Sequence, residues 1–189
     1  MINMWNKLCL FYLMKMNRVQ IDLKTVSIRG IPYIKNRGTL IIKKGVTINS
    51  CFKANPVGSQ TFTSLVVMNG GILILEEGSG ISNSSIYCVK SIRIGKNVFI
   101  GADCKIFDTD FHSLYLSERI SGSDQGMKSA PIVIEDGVFI GAASIILKGV
   151  HIGRESIIGA GSVVTTNVPP FEVWAGNPAK FIKKLSSRD

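Results

Sequence analysis

The chain has 189 residues, 46% of them hydrophobic, which suits one domain with a real core and excludes wholesale disorder. Its formal charge of +9 comes without a basic helix, an aromatic RNA-binding motif or zinc-ligand spacing, so no nucleic-acid partner is expected; solubility, a phosphorylated partner or an acidic glycan all suit the field. Cys9, Cys51, Cys88 and Cys104 lie far apart with no C-x-x-C pair, which argues against a metal site or disulfide framework and fits reduced thiols in a cytoplasmic protein.

In chain order, the first segment is "WNKLCLFYLMKM", with an apolar run from Leu8 to Met14. That run is far below the ~20 residues of a spanning helix. Lys15 follows it and no small-x-small cleavage pattern appears. Residues 1–18 therefore read as an amphipathic helix packed on the body or on a neighbouring subunit. A position on a membrane surface is the less favoured reading. Residues 19–74 are less regular: Ile42 and Ile48 hint at repeat positions, and "NGG" at 69–71 reads as a turn before the strand "ILIL".

A six-residue period then takes over. Ile94, Ile100 and Ile106, and later Ile134, Ile140, Ile146, Ile152, Ile158 and Val164, recur at that interval. Four residues after most of these stands a small or modest side chain: Val98, Cys104, Val138, Ser144, Val150, Ser156, Ser162 and Val168. Gly often follows the aliphatic residue directly, as at Gly95, Gly101, Gly141, Gly153 and Gly159. Six is three strand periods, so residues i and i+6 point the same way in extended chain. With a corner at every step, such strands close into a three-sided coil. Stacked coils bury what no single coil can. The Gly and β-branched content argues against helix.

The rhythm breaks between Ile106 and Ile134, and a loop at about 108–131 is expected. It carries Asp108, Asp110, His112, Tyr115, Glu118 and Arg119. Its last stretch, "SGSDQGMKS", reads as mobile. In "DTDFH", Asp108, Asp110 and His112 alternate, so an extended chain would put them on one side, with a carboxylate near the imidazole. The residues alone leave two readings: a general base, or a histidine that solvates a loop. His151, just before Ile152, falls at an outward position and reads as a surface histidine. The repeat ends at Pro169-Pro170, and 171–189 reads as a cap, with Asn177-Pro178 at a turn and "AKFIKKLS" as a short helix.

The repeat, the "DTDFH" loop and the "GNPAK" tail resemble the hexapeptide-repeat acyltransferases, strongly from about Leu75 to Ser186. The "D-x-D-F-H" form is similar to the branch that acetylates exopolysaccharides and lipopolysaccharides, with Ser113 where that branch often has Pro. The resemblance implies an all-β fold, a left-handed parallel β-helix solenoid over 19–170 with a protruding loop, acting as a homotrimer. It implies acetyl-CoA as co-substrate, no metal, His112 as general base and Asp110 (Asp108 second) as the carboxylate that orients it. Ala142, Ala160 and Gly161 would lie along the pantetheine arm. Thr165, Thr166, Gly176, Pro178, Lys180 and Lys183 would complete the coenzyme A site, with Thr166 where the family often has Lys. Asn83, Asp108 and Arg119 would meet the acceptor, although an Asn in "ISNSSIYC" is also an ordinary turn residue.

The function expected is O-acetyl transfer to a sugar or glycan-precursor hydroxyl. Serine or amino-sugar N-acetylation uses the same fold, and a non-catalytic trimeric scaffold is the rival from another class. A carbonic-anhydrase-like enzyme would need three zinc-binding histidines per site, and the chain has two histidines.

Overall fold

The computed structural model describes residues 4–58, 61–122 and 126–186. Most of them wind into coils of three short strands. The first coil is β1 (Gln20–Ile21), β2 (Ser27–Gly30) and β3 (Tyr33–Asn36); the second is β4 (Thr39–Ile42), β5 (Thr47–Ser50) and β6 (Ser64–Val67). The third is β7 (Ile72–Leu75), β8 (Gly80–Ser82) and β9 (Ser85–Cys88), and the fourth β10 (Ser91–Ile94), β11 (Phe99–Ile100) and β12 (Lys105–Phe107). The fifth is β13 (Ile132–Ile134), β14 (Phe139–Ile140) and β15 (Ile145–Ile146), and the sixth β16 (His151–Ile152), β17 (Ile157–Ile158) and β18 (Val163–Val164).

Each strand pairs in parallel with the strand three further on. Three sheets result: sheet 1 from β1 to β16, sheet 2 from β2 to β17, and sheet 3 from β3 to β18. The register carries the hexads through the stack. Leu75, Ile94, Ile134 and Ile152 are successive partners in sheet 1, Ile81, Ile100, Ile140 and Ile158 in sheet 2, and Ile86, Ile106, Ile146 and Val164 in sheet 3. All twelve are buried. So are the eight expected i+4 companions, from Val98 to Val168. The inward serines keep their hydroxyls satisfied: Ser162 Oγ bonds Gly159 O at 2.6 Å and Ser156 Oγ bonds Pro169 O at 2.7 Å.

The bend of each coil does not fall at the residue directly after the aliphatic one, where Gly is frequent. Left-handed backbone recurs two residues later, at Asn97, Asp103, Gly137, Ala143, Gly149, Glu155 and Gly161. Four of these seven positions carry a side chain, so the stack itself stabilises the conformation. The directly following glycines serve close approach instead: a Cβ on Gly141 would lie 2.5 Å from the Ala160 nitrogen of the next coil.

Helix α1 (Met4–Met16) covers the start of the prism, with Leu10 and Met14 joining the core. At the other end the expected C-terminal helix is absent. β19 (Glu172–Gly176) adds in parallel to β17, and β20 (Ala179–Lys184) returns antiparallel to it. The eight residues of "AKFIKKLS" are too few to hold a helix unaided, and the open edge of β19 offers the backbone a ladder instead. Two insertions leave the coils: 51–63 between β5 and β6, and 108–131 between β12 and β13, the latter containing α2 (Leu116–Ser121).

Candidate active site

The second insertion leaves the prism at the corner where sheet 3 passes into sheet 1. Its neck is closed by an antiparallel bridge between Thr109 and Ser129, by the Asp110 N–H donating to Lys128 O (3.1 Å), and by the Ala130 N–H donating to Asp108 O (3.0 Å). The neck is tied to the next coil twice. Gly149 N–H donates to Ala130 O at 3.1 Å, and Lys148 Nζ meets Asp110 Oδ1 at 2.5 Å. Beyond the neck, Phe111 packs on Tyr87 and Phe107, with ring centroids 4.9 and 5.1 Å away.

His112 follows directly and is exposed. The next residue, Ser113, is buried; its Oγ accepts from Tyr115 N–H (3.1 Å) and its carbonyl accepts from Arg119 Nη1 (2.7 Å). The imidazole thus stands between an aromatic anchor and a hydrogen-bonded one. Glu118 Oε2 accepts from Gly126 N–H at 2.6 Å and steadies the outer loop. Residues 123–125 of the stretch expected to be mobile lie outside the described residues.

Asp108, Asp110 and His112 do not share one side of an extended strand. Phe111 has a φ of 65°, so the chain is re-aimed between Asp110 and His112. Asp108 turns inward and is fully buried. Its Oδ1 accepts from Val89 N–H (2.7 Å) and its Oδ2 from Lys90 and Ser91 N–H (2.7 and 2.8 Å). A carboxylate committed to three amides closes the turn between β9 and β10 and has no surface left for an acceptor. The same group faces the Cys88 thiol, which burial and the Asp108 charge push up to about 12. Burial also pushes the Cys104 thiol up. Arg119, expected at the acceptor, spends one guanidinium nitrogen on Ser113 inside its own loop.

The remaining expected residues divide between two corners. Thr165 and Thr166 follow β18 and so lie on the corner of His112 and Lys148. Ala142, Ala160, Gly161 and Gly176 lie on the corner between sheets 2 and 3. The Gly161 amide is used within the stack, donating to Ala142 O at 2.8 Å, and Gly176 N–H donates to Ser162 Oγ at 3.1 Å. Pro178 sits in the turn of the β19–β20 hairpin, and Lys180 and Lys183 are exposed on β20 beside that corner. Ala142 is half-buried there, whereas Ala160, Gly161 and Gly176 are exposed and leave the surface beside the two lysines free of large side chains.

Asn83 is on this second corner too, but buried, with a φ of 43°. Its Nδ2 donates to Asn55 O at 3.0 Å, under the 51–63 insertion. A turn-forming residue is the reading this geometry favours. His151 is the surface histidine expected, 2.8 Å from Glu135 Oε1, and that contact holds the Glu135 carboxyl below its ordinary range. Among the described residues, no three His, Cys, Asp or Glu side chains converge as metal ligands. Lys148 escaped the sequence reading. Its one signal is that "LK" follows Ile146, where Gly follows most other hexad positions.

Residues 91–106 and 131–166 match a family model described as the hexapeptide repeat of succinyl-transferase. A Schizosaccharomyces pombe protein, named provisionally as an acetyltransferase, is 42% identical over 105 residues, 56% of this chain and 49% of that one. A Staphylococcus aureus 2,3,4,5-tetrahydropyridine-2,6-dicarboxylate N-acetyltransferase is 39% identical over 92 residues, 49% of this chain and 33% of that one. The matches thus span from a third to half the length of these relatives. Among solved structures, the polysialic acid O-acetyltransferase OatWY has a TM-score of 0.64 at 20% identity, covering 90% of this chain and 87% of that one. The fold that the repeat and these structural likenesses define is a left-handed parallel β-helix. Its hand is opposite to the default for parallel crossovers.

Proposed function

We propose that this protein is an acetyl-CoA-dependent O-acetyltransferase of the hexapeptide-repeat family, acting as a cytoplasmic homotrimer on a hydroxyl of a sugar or glycan precursor. The observation that carries the reading is His112, an exposed imidazole held between two anchored residues on the loop that interrupts the coils. In this reading His112 accepts the proton of the attacking hydroxyl as the new C–O bond forms, and returns it to the departing thiolate as the C–S bond breaks. Asp110, ion-paired with Lys148, is the carboxylate this reading assigns to orienting the imidazole. Base catalysis of this kind contributes roughly 10²–10⁴-fold, so positioning and a donor to the developing oxyanion supply the rest.

Coenzyme A would be held by Ala142, Ala160, Gly161, Gly176 and Pro178, with Lys180 and Lys183 near phosphate and Thr165 and Thr166 at the other corner. The thiol is the leaving group it supplies. Because the lysines and His112 belong to different corners, the reading favours a site shared between neighbouring subunits. N-acetylation is the second reading, favoured by the staphylococcal N-acetyltransferase at 39% identity.

The test is thiol release from acetyl-CoA against a panel of sugars, nucleotide sugars, glycan fragments and amines. His112→Ala should abolish release with a sugar acceptor while trimers persist. Undiminished turnover refutes the base, and turnover with amines alone favours N-acetylation. Equimolar mixing of inactive His112→Ala with inactive Lys180→Ala/Lys183→Ala chains, refolded together, should recover about a quarter of the activity if each site joins two subunits of a ring.

A further inference from the structure

We infer that the outer face of α1 docks on an anionic phospholipid bilayer. The helix is apolar on two sides. Leu10 and Met14 face the core, whereas Trp5, Leu8, Phe11, Tyr12 and Met16 are all more than half exposed. Positions 5, 8, 12 and 16 follow helical spacing and form one stripe opposite Leu10 and Met14. A helix apolar on two sides expects cover on both, and among the described residues the solenoid covers only one. The sequence pattern suggested an amphipathic helix; the structure corrects this to a helix with a second apolar face.

Charge identifies the occupant. Residues 1–50 hold nine Lys and Arg against a single Asp, a net +8 out of the chain's +9. The net positive charge is therefore gathered in the segment that forms α1 and most of the first two coils. Lys7, Lys15, Arg18, Lys24, Arg29 and Lys43 are all exposed. The lone acid, Asp22, accepts from Lys24 N–H at 2.9 Å in a local turn. A stripe of Trp, Phe, Tyr and Leu ringed by cations suits an interface where apolar rings sink to headgroup depth and cations meet phosphate. A nucleic acid or acidic polysaccharide would engage the cations but leave the apolar stripe in water, and a second copy of the helix would bring like charges together. Among the described residues no helix is long and apolar enough to cross a membrane, so the contact is peripheral. In a cyclic trimer the three ends lie on the same side along the axis, and their contacts reinforce one another.

The test is co-sedimentation of the full chain with phosphatidylcholine vesicles containing or lacking phosphatidylglycerol. Binding is expected to the anionic vesicles alone, weakened by salt, with a blue shift of Trp5 emission read as the difference from Trp5→Phe. At about fivefold per interfacial cation, Lys7→Gln/Lys15→Gln/Arg18→Gln should lower partition roughly a hundredfold. Trp5→Ala/Phe11→Ala/Tyr12→Ala should abolish it while leaving acetyl transfer to a soluble acceptor unchanged. Equal binding to both vesicle types, or none to either, overturns the inference. So does equal binding to DNA that survives the triple alanine variant, or loss of an oligomer on the same substitution without any vesicle binding. Each readout is independent of catalysis, so failure here is distinguishable from failure of the acetyltransferase reading.

Discussion

Replacing Asp108 by Asn separates a structural carboxylate from an acceptor-binding one. The native group accepts three amide N–H bonds of 2.7, 2.7 and 2.8 Å with no exposed surface. Asn retains one oxygen, so at least one of the Val89, Lys90 and Ser91 amides must face an NH₂ instead. Hydrogen bonds to a charged group contribute about 1.5–3 kcal/mol each, neutral ones about 1 kcal/mol, and an orphaned buried donor costs about 1–3 kcal/mol more. One bond lost with its donor orphaned and two weakened therefore cost about 4–10 kcal/mol. For a chain of this length even the lower end corresponds to a melting-temperature drop of roughly 10 °C. Circular dichroism melts read the loss, and hydrogen exchange at Val89, Lys90 and Ser91 locates it. A variant that melts within about 2 °C of the native protein and instead shows a raised KM for the acceptor would refute the reasoning.

The ion pair at the loop neck makes a second prediction: Lys148→Met leaves Asp110 uncompensated, at a cost of about 1–2 kcal/mol confined to the loop. Hydrogen exchange of the Asp110 amide should quicken roughly tenfold while the global melt hardly moves. For Cys88, a folded-state pKa of about 12, above the ordinary 9.0, means that its contribution to stability is whole below pH 9 and declines as pH rises towards 12. Urea midpoints between pH 8 and about 11 should fall more steeply for the native chain than for Cys88→Ala. At the corners, Ala143→Gly should stabilise by about 0.5–1 kcal/mol, because φ there is 60°, whereas Ala142→Gly next to it should destabilise by a similar amount. Chemical denaturation decides between them.

The coils from Ile94 onward were legible because one physical constraint repeats: every sixth side chain must fill a narrow interior. Ile42 and Ile48 showed the same constraint more faintly, since the 13 residues from Cys51 to Thr63 leave the coil between β5 and β6 and break the count. Sequence located the histidine loop but not the inward turn of Asp108. The rule that alternate residues share a side assumes extended backbone, and Phe111 breaks that assumption through contacts with Tyr87 and Phe107 on other coils. Lys148 went unseen because its partner lies 38 residues away in sequence and next to it only in the stack. The tail's strand was hidden for a different reason: its partner β19 is a sequence neighbour, but β19 becomes an edge only by adding to β17 in the stack.

The division of candidate residues between two corners follows from stiffness. Strands rise about 3.3 Å per residue, so the five or six residues from the Asp103 corner to the Asp108 corner place those edges on the order of 15–20 Å apart. Interior side chains packed at close to crystalline density prevent the prism from flexing to bring them together. A base must stand within about 3 Å of the proton it takes. Either the donor lies across the face of sheet 3, past Ile145 and Val163, or a second copy brings its own corner to the loop. The exposed Leu114, Tyr115, Leu116 and Ile120 around α2 favour the second route. Apolar side chains at the tip of an anchored loop gain by burial against a neighbour, and that contact would draw the lysines of one subunit towards the imidazole of the next.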